Sequence, residues 1–136
     1  MRIHKINHIA IAVQNLDEAI KVYEKLLGFG PKEIKEVPDQ KVRVAMFDVG
    51  GVLIELLEPM SEDSPISKFV KEKGGGLHHV AFSVDNINEA IERLTQEGFV
   101  WINKEPRIGA EGKPIAFIHP KSTMRVLVEF VEDREE

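Results

Sequence analysis

The chain contains no cysteine, which removes disulfide frameworks, thiolate metal cages and cysteine nucleophiles together. Basic charge in excess is also missing. Eighteen Lys and Arg face 23 Asp and Glu, for a formal charge of −5, so no basic stripe exists to replace phosphate counterions and nucleic acid is not an expected partner. No apolar run approaches the roughly 20 residues that span a bilayer, and no apolar signal segment follows Met1 to Lys5, so a membrane partner is not expected and a cytoplasmic location is. The glycine triplet Gly74 to Gly76 lacks the Gly-Lys-Ser/Thr continuation of a phosphate loop, and a strand rather than a helix is expected after it. The lone tryptophan, Trp101, reads as packing rather than a stacking platform. What remains is 43% hydrophobic and 30% charged over 136 residues, a soluble globular balance with room for one domain or two small halves sharing a core.

Laid against itself, the chain repeats. His8 to Ile20 matches His79 to Ile91 at an offset of 71, with seven of 13 positions identical. Val52 to Glu58 matches Val126 to Glu132 at an offset of 74. The pattern predicts a tandem duplication of modules about 1–60 and 77–132, joined by a linker at 61–76, in one domain over 1–136. In each module a β-branched and apolar run (6–13, 77–84) predicts a strand. Asn15 and Asn86 then sit as helix N-caps, each with a glutamate three residues on (Glu18, Glu89), in a capping-box-like arrangement. Apolar residues recur at helical spacing up to Gly28 and Gly98. Three further strands complete each module, about 32–37, 42–49 and 52–58, then about 100–105, 115–119 and 125–132. A short helix is expected near 65–73. The acidic tail 132–136 is expected to be frayed and without function. The fold class is therefore α+β, as two tandem βαβββ modules.

Both first strands open with a histidine, His8 or His79. Both last strands carry a glutamate, Glu55 or Glu129, with aliphatic residues on either side. Those neighbours occupy both faces of the strand, so neither carboxylate can simply turn to water. A carboxylate in that setting is costly to desolvate unless it is paired or metal-bound. A nearby lysine or arginine is one available partner. Two imidazoles and two carboxylates at repeat-equivalent places offer the other, one divalent ion per chain. Four N/O donors without thiolate favour an octahedral ion with open positions, cobalt first, with manganese, nickel or zinc as alternatives. His78 is the rival to His79, and strand alternation puts the two on opposite faces. The repeat selects His79. His4 and His119 have no repeat partner and read as structural.

These residues carry a resemblance to the vicinal-oxygen-chelate superfamily, which holds glyoxalases, extradiol dioxygenases and epimerases. Within it the chain resembles the methylmalonyl-CoA epimerase family over nearly its whole length. The matching segments are Asn7 to Val13, Asp63 to Ile66, Gly76 to Ala81, Pro106 to Lys113, and His119 to Ser122 followed by Val126 to Glu129. The resemblance implies a curved eight-stranded mixed sheet around a metal site, an acyl-CoA thioester substrate and a homodimer. Two positions depart from the pattern. Some epimerases have glutamine where Glu55 stands, and some carry a proposed acid/base glutamate where Val44 stands.

The implied reaction interconverts (R)- and (S)-methylmalonyl-CoA by removing the α-proton and returning one to the opposite face, which needs a stabilised enolate and two proton carriers. Glu129 is the expected ligand and proton carrier, with Glu55 a ligand and the candidate opposite base. Lys113, Lys121 and Arg107 are candidates for the substrate carboxylate or the CoA phosphates, and Ser122 is a candidate hydrogen-bond donor. A glyoxalase-type lactoylglutathione lyase and a non-catalytic binding module of the same fold are the competing readings.

Overall fold

The computed structural model describes residues 1–134, so the last two residues of the acidic tail lie outside the described ones. The element order is β1 (Ile3–Ala12), α1 (Leu16–Leu27), β2 (Glu33–Val37), β3 (Val42–Val49), β4 (Val52–Pro59), α2 (Ser67–Lys73), β5 (Gly76–Val84), α3 (Ile87–Gln96), β6 (Arg107–Ile108), β7 (Pro114–Ile118) and β8 (Val128–Glu132). The βαβββ order thus occurs twice, with α2 between. The strands are hydrogen-bonded in the order β2-β3-β4-β1-β5-β8-β7-β6. The sheet is mixed, because β5 and β8 run parallel while β3 and β4 are antiparallel. No helix among the described residues is long and apolar enough to cross a membrane.

By contact density the chain divides into two compact units, residues 1–8 with 79 onward, and residues 9–78. This differs from the repeat boundaries, because the start of β1 belongs with the second half. In the unit 9–78, Leu16 and Ile20 of α1 bury against Ala45, Phe47 and Leu56. Each large apolar side chain so buried contributes about 1.5–3 kcal/mol. Val44 packs with Ala10, Val42, Met46 and Leu57, as an ordinary core residue. In the other unit, Ile87 and Ala90 of α3 bury against Ala116, Ile118 and Phe130, and Trp101 packs at that cluster. Its ring meets Phe130 edge-on at 5.6 Å.

Both helices start as the sequence indicates. The Asn15 side chain accepts from Glu18 N, and that of Asn86 from Glu89 N, each at 3.0 Å. The sheet supplies a second cap. Glu58 at the end of β4 accepts from Leu16 N at 2.9 Å, and Glu132 at the end of β8 accepts from Ile87 N at 3.0 Å. Each carboxylate therefore satisfies an N–H that the helix itself cannot, and lies at the positive end of its dipole. These two glutamates are partners in the repeat. Glu132 consequently corrects the reading of the tail, which begins as a structural residue.

Two strand expectations fail, each for an identifiable reason. The stretch 100–105 contributes only an isolated bridge, Trp101 to Ile118. Beyond it, the Asn103 side chain takes the N–H of Phe117 at 2.8 Å, and Pro106 has no N–H to give, so regular pairing resumes only at Arg107. The last strand begins at Val128 rather than 125, because Met124 and Arg125 adopt left-handed φ values of 56° and 74°. Two such residues in succession turn the chain instead of extending it.

Candidate metal centre

The unit formed by residues 1–8 and 79 onward brings His8, His79 and Glu129 together. His8 comes from β1, His79 from β5 and Glu129 from β8, and all three are buried, at 6%, 8% and 5% exposure. Parallel pairing of β5 with β8 sets Ala81 beside Glu129, and antiparallel pairing sets Phe117 of β7 on its other side. The Phe117 ring meets His79 edge-on at 5.5 Å. Ala81, Ile115 and Val131 form the apolar cluster packed against Phe117. The carboxylate is therefore embedded in apolar surroundings, as its strand pattern indicated.

His8 Nε2 lies 3.1 Å from His79 Nε2 and 3.1 Å from Glu129 Oε1. His79 Nε2 lies 3.0 Å from the same oxygen. Three lone-pair donors this close need protons or a cation among them. The spacing also selects a geometry. Adjacent donors about 2.1 Å from an octahedral ion are about 3.0 Å apart, whereas tetrahedral donors at the same bond length are about 3.4 Å apart. The three observed edges fit one face of an octahedron, and a face leaves further positions open. These residues fit a divalent cation.

Burial is the strongest influence on the Glu129 carboxyl and pushes its pKa up. Hydrogen bonds from His79 and His8, together with their charge, outweigh it and bring the carboxyl from 4.5 down to about 2. Glu129 is thus an anion at neutral pH despite its burial, as a ligand must be.

The other sequence candidates are placed differently. Glu55 is buried in the middle of β4, paired in register with Met46, in the unit 9–78. It is not a member of the three-residue group. Lys113 donates to Asp133 Oδ1 at 2.8 Å, so its ammonium already has a carboxylate. Arg107 and Lys121 are exposed. The Ser122 hydroxyl oxygen accepts from Val100 N at 2.9 Å, which gives it a part in holding its loop. His78 packs edge-on against Phe69 at 5.1 Å. His4 Nδ1 lies 3.3 Å from Asp85 Oδ1, and His119 Nδ1 accepts from Lys121 N at 3.1 Å. Both histidines are structural, as read.

Sequence reasoning missed the residues behind the ligands. Asn7 Oδ1 is 2.7 Å from His8 Nδ1, and Asn7 Nδ2 donates to Ser83 Oγ at 3.1 Å and Asp133 Oδ2 at 3.3 Å. Asn7 and Ser83 are buried. The available signal was the position of Asn7 beside His8 in a strand.

The sequence pattern of the glyoxalase/bleomycin resistance protein/dioxygenase superfamily matches residues 7–117, and the chain belongs to that superfamily. Within it, the chain is 42% identical to the mitochondrial methylmalonyl-CoA epimerase of Homo sapiens over 126 residues, 92% of this chain and 72% of that protein. It is 41% identical to the ethylmalonyl-CoA/methylmalonyl-CoA epimerase of Cereibacter sphaeroides over 129 residues, 93% of this chain and 96% of that one. A variant of the Streptomyces coelicolor epimerase solved with 2-nitronate-propionyl-CoA, and an epimerase solved with methylmalonyl-CoA and ammonium, each match with a TM-score of 0.89. Each is 33% identical over 97% of this chain and 96% of its own. The chain's place is among the methylmalonyl-CoA epimerases. Lactoylglutathione lyase of Escherichia coli O157:H7 is more distant, at 25% identity.

Proposed function

We propose that the chain is a metal-dependent methylmalonyl-CoA epimerase, interconverting the (R) and (S) forms by proton transfer at the α-carbon. The buried group of His8, His79 and Glu129, in a chain about 41% identical to named epimerases, carries this reading. His8, His79 and Glu129 would hold a divalent cation there, cobalt first and manganese, nickel or zinc as alternatives, which would supply Lewis acidity worth several kcal/mol to the developing enolate. On the strength of the repeat, Glu55 is proposed as a fourth ligand.

Glu129 and Glu55 are the proposed proton carriers. Returning a proton to the face opposite its removal requires two groups, and these are the two carboxylates of the repeat. Val44 is packed in the core and carries no proton. Arg107 at the start of β6 and Lys121, both exposed, are proposed to meet the anionic groups of the CoA thioester, with Ser122 as a hydrogen-bond donor. Lys113 joins them only if substrate displaces Asp133. A homodimer and a cytoplasmic location complete the proposal.

Cobalt-reconstituted protein assayed in parallel on methylmalonyl-CoA and on a glutathione hemithioacetal tests the reading. Epimerisation of the first with little turnover of the second is expected, and the reverse makes the chain a lyase. In deuterated water the wild type should exchange the α-proton and Glu129→Gln should not. Retained exchange removes Glu129 from the chemistry.

A further inference from the structure

An imidazole binds a cation only through a nitrogen that carries no proton, so a site built on Nε2 requires the ring proton to sit on Nδ1. We infer that Asp133, acting through the Asn7 amide, fixes that tautomer of His8. Both are therefore positioning residues for the metal centre. The inference rests on the metal reading above and extends it to residues outside the ligand set.

The chain of hydrogen bonds starts at a carboxylate whose role is unambiguous. Asp133 follows β8, and its carboxylate accepts from Lys113 Nζ at 2.8 Å, with Lys5 Nζ at 4.0 Å. The hydrogen bond from Lys113 and the charge of both lysines lower its pKa, so at neutral pH it has only acceptors to offer. The Asn7 atom 3.3 Å from Asp133 Oδ2 must then be the NH₂ group. The same NH₂ reaches Ser83 Oγ at 3.1 Å, and that hydroxyl gives its own hydrogen to Asp133 Oδ2 at 3.5 Å, which leaves it a lone pair for Asn7. With its nitrogen committed, Asn7 turns its carbonyl oxygen to His8, 2.7 Å from Nδ1. An oxygen at that distance accepts a proton or repels a lone pair. Nδ1 must carry a proton, which leaves Nε2, facing His79 and Glu129, as the nitrogen at which a cation takes the place of the proton that His8 gives Glu129.

The arrangement explains why Lys113 is tied down. Its partner Asp133 is the fixed end of a chain of hydrogen bonds that ends on a metal ligand, and outer groups of this kind set ligand orientation and basicity. It also gives Asp133 a role where the sequence suggested only a tail.

The test uses the full chain, labelled with ¹⁵N, and reads two quantities. Long-range proton–nitrogen correlation spectra of metal-free protein, at a pH above the imidazole range, show which His8 nitrogen bears the proton. Titration with Co²⁺ alone, followed by its absorption, gives the affinity. Wild type should show the proton on Nδ1. Asp133→Asn, which can both donate and accept, should move His8 toward the Nε2–H form and weaken Co²⁺ binding by about 10–100-fold. Asn7→Ala should act in the same direction, and serves if Asp133→Asn does not fold. A wild-type proton on Nε2, or an Asp133→Asn protein with unaltered tautomer and affinity, overturns the inference. Wild type that keeps the Nδ1 proton yet takes up no Co²⁺ supports the orienting chain while sinking the metal reading.

Discussion

Glu129 is an acid whose ionisation is set by its neighbours, and this has a measurable sign. Its folded pKa of about 2 lies below the ordinary 4.5. The folded state therefore gains from the ionised carboxylate at all pH values above 4.5, and loses that gain as pH falls from there toward about 2. Metal-free wild type should lose more of its urea midpoint between pH 5 and pH 2 than Glu129→Gln, which has no proton to take up. Equal losses would show that the ion cluster contributes nothing to stability. At the same scale, His8→Ala removes one donor atom from the gathered group of His8, His79 and Glu129 and should leave no measurable cobalt binding in an absorption titration. Asn7 and Asp133 stand behind these groups without being legible from the repeat. Their repeat-equivalent positions hold His78 and Pro59, so duplication singles out the ligands and is silent on what orients them.

Among the elements, the helices were the most legible part, since their caps and apolar spacing are local properties. Asn15→Ala and Asn86→Ala should each cost about 1 kcal/mol in chemical denaturation, with Glu58 and Glu132 keeping the second cap in place. A loss near zero at either position would mean that the glutamate alone satisfies the helix start. The strand 100–105 was misread because the decisive contact, Asn103 with the Phe117 backbone, joins residues 14 apart, beyond any local pattern. The corner at Met124 and Arg125 was illegible for a related reason, since neither residue type favours left-handed backbone. Glycine at position 75 is required in two ways. Its φ is 121°, and a Cβ there would sit 2.8 Å from the Ala12 carbonyl oxygen. Gly75→Ala should therefore destabilise by more than the roughly 1 kcal/mol of a conformational penalty alone, read as a lowered midpoint in urea.

For the whole molecule, the proposed cation binding would be coupled to folding, because His8, His79 and Glu129 come from β1, β5 and β8 and are gathered only in the folded chain. Metal at 100 times its dissociation constant stabilises by about 2.7 kcal/mol. For a domain of this size that raises Tm by roughly 10 °C. Calorimetry with and without Co²⁺ should show the rise in wild type and none in His8→Ala. An equal rise in both would place the ion elsewhere.

His8 and Glu129 stand 121 residues apart in the chain. During synthesis the histidine leaves the ribosome long before the carboxylate that completes its coordination exists. On the proposed metal reading, an ion would be captured only after translation is nearly finished, and a truncated product that lacks β8 would lack the carboxylate that helps retain it. Loading would then come late, and a cell short of the right ion would accumulate finished but empty chains rather than half-made ones.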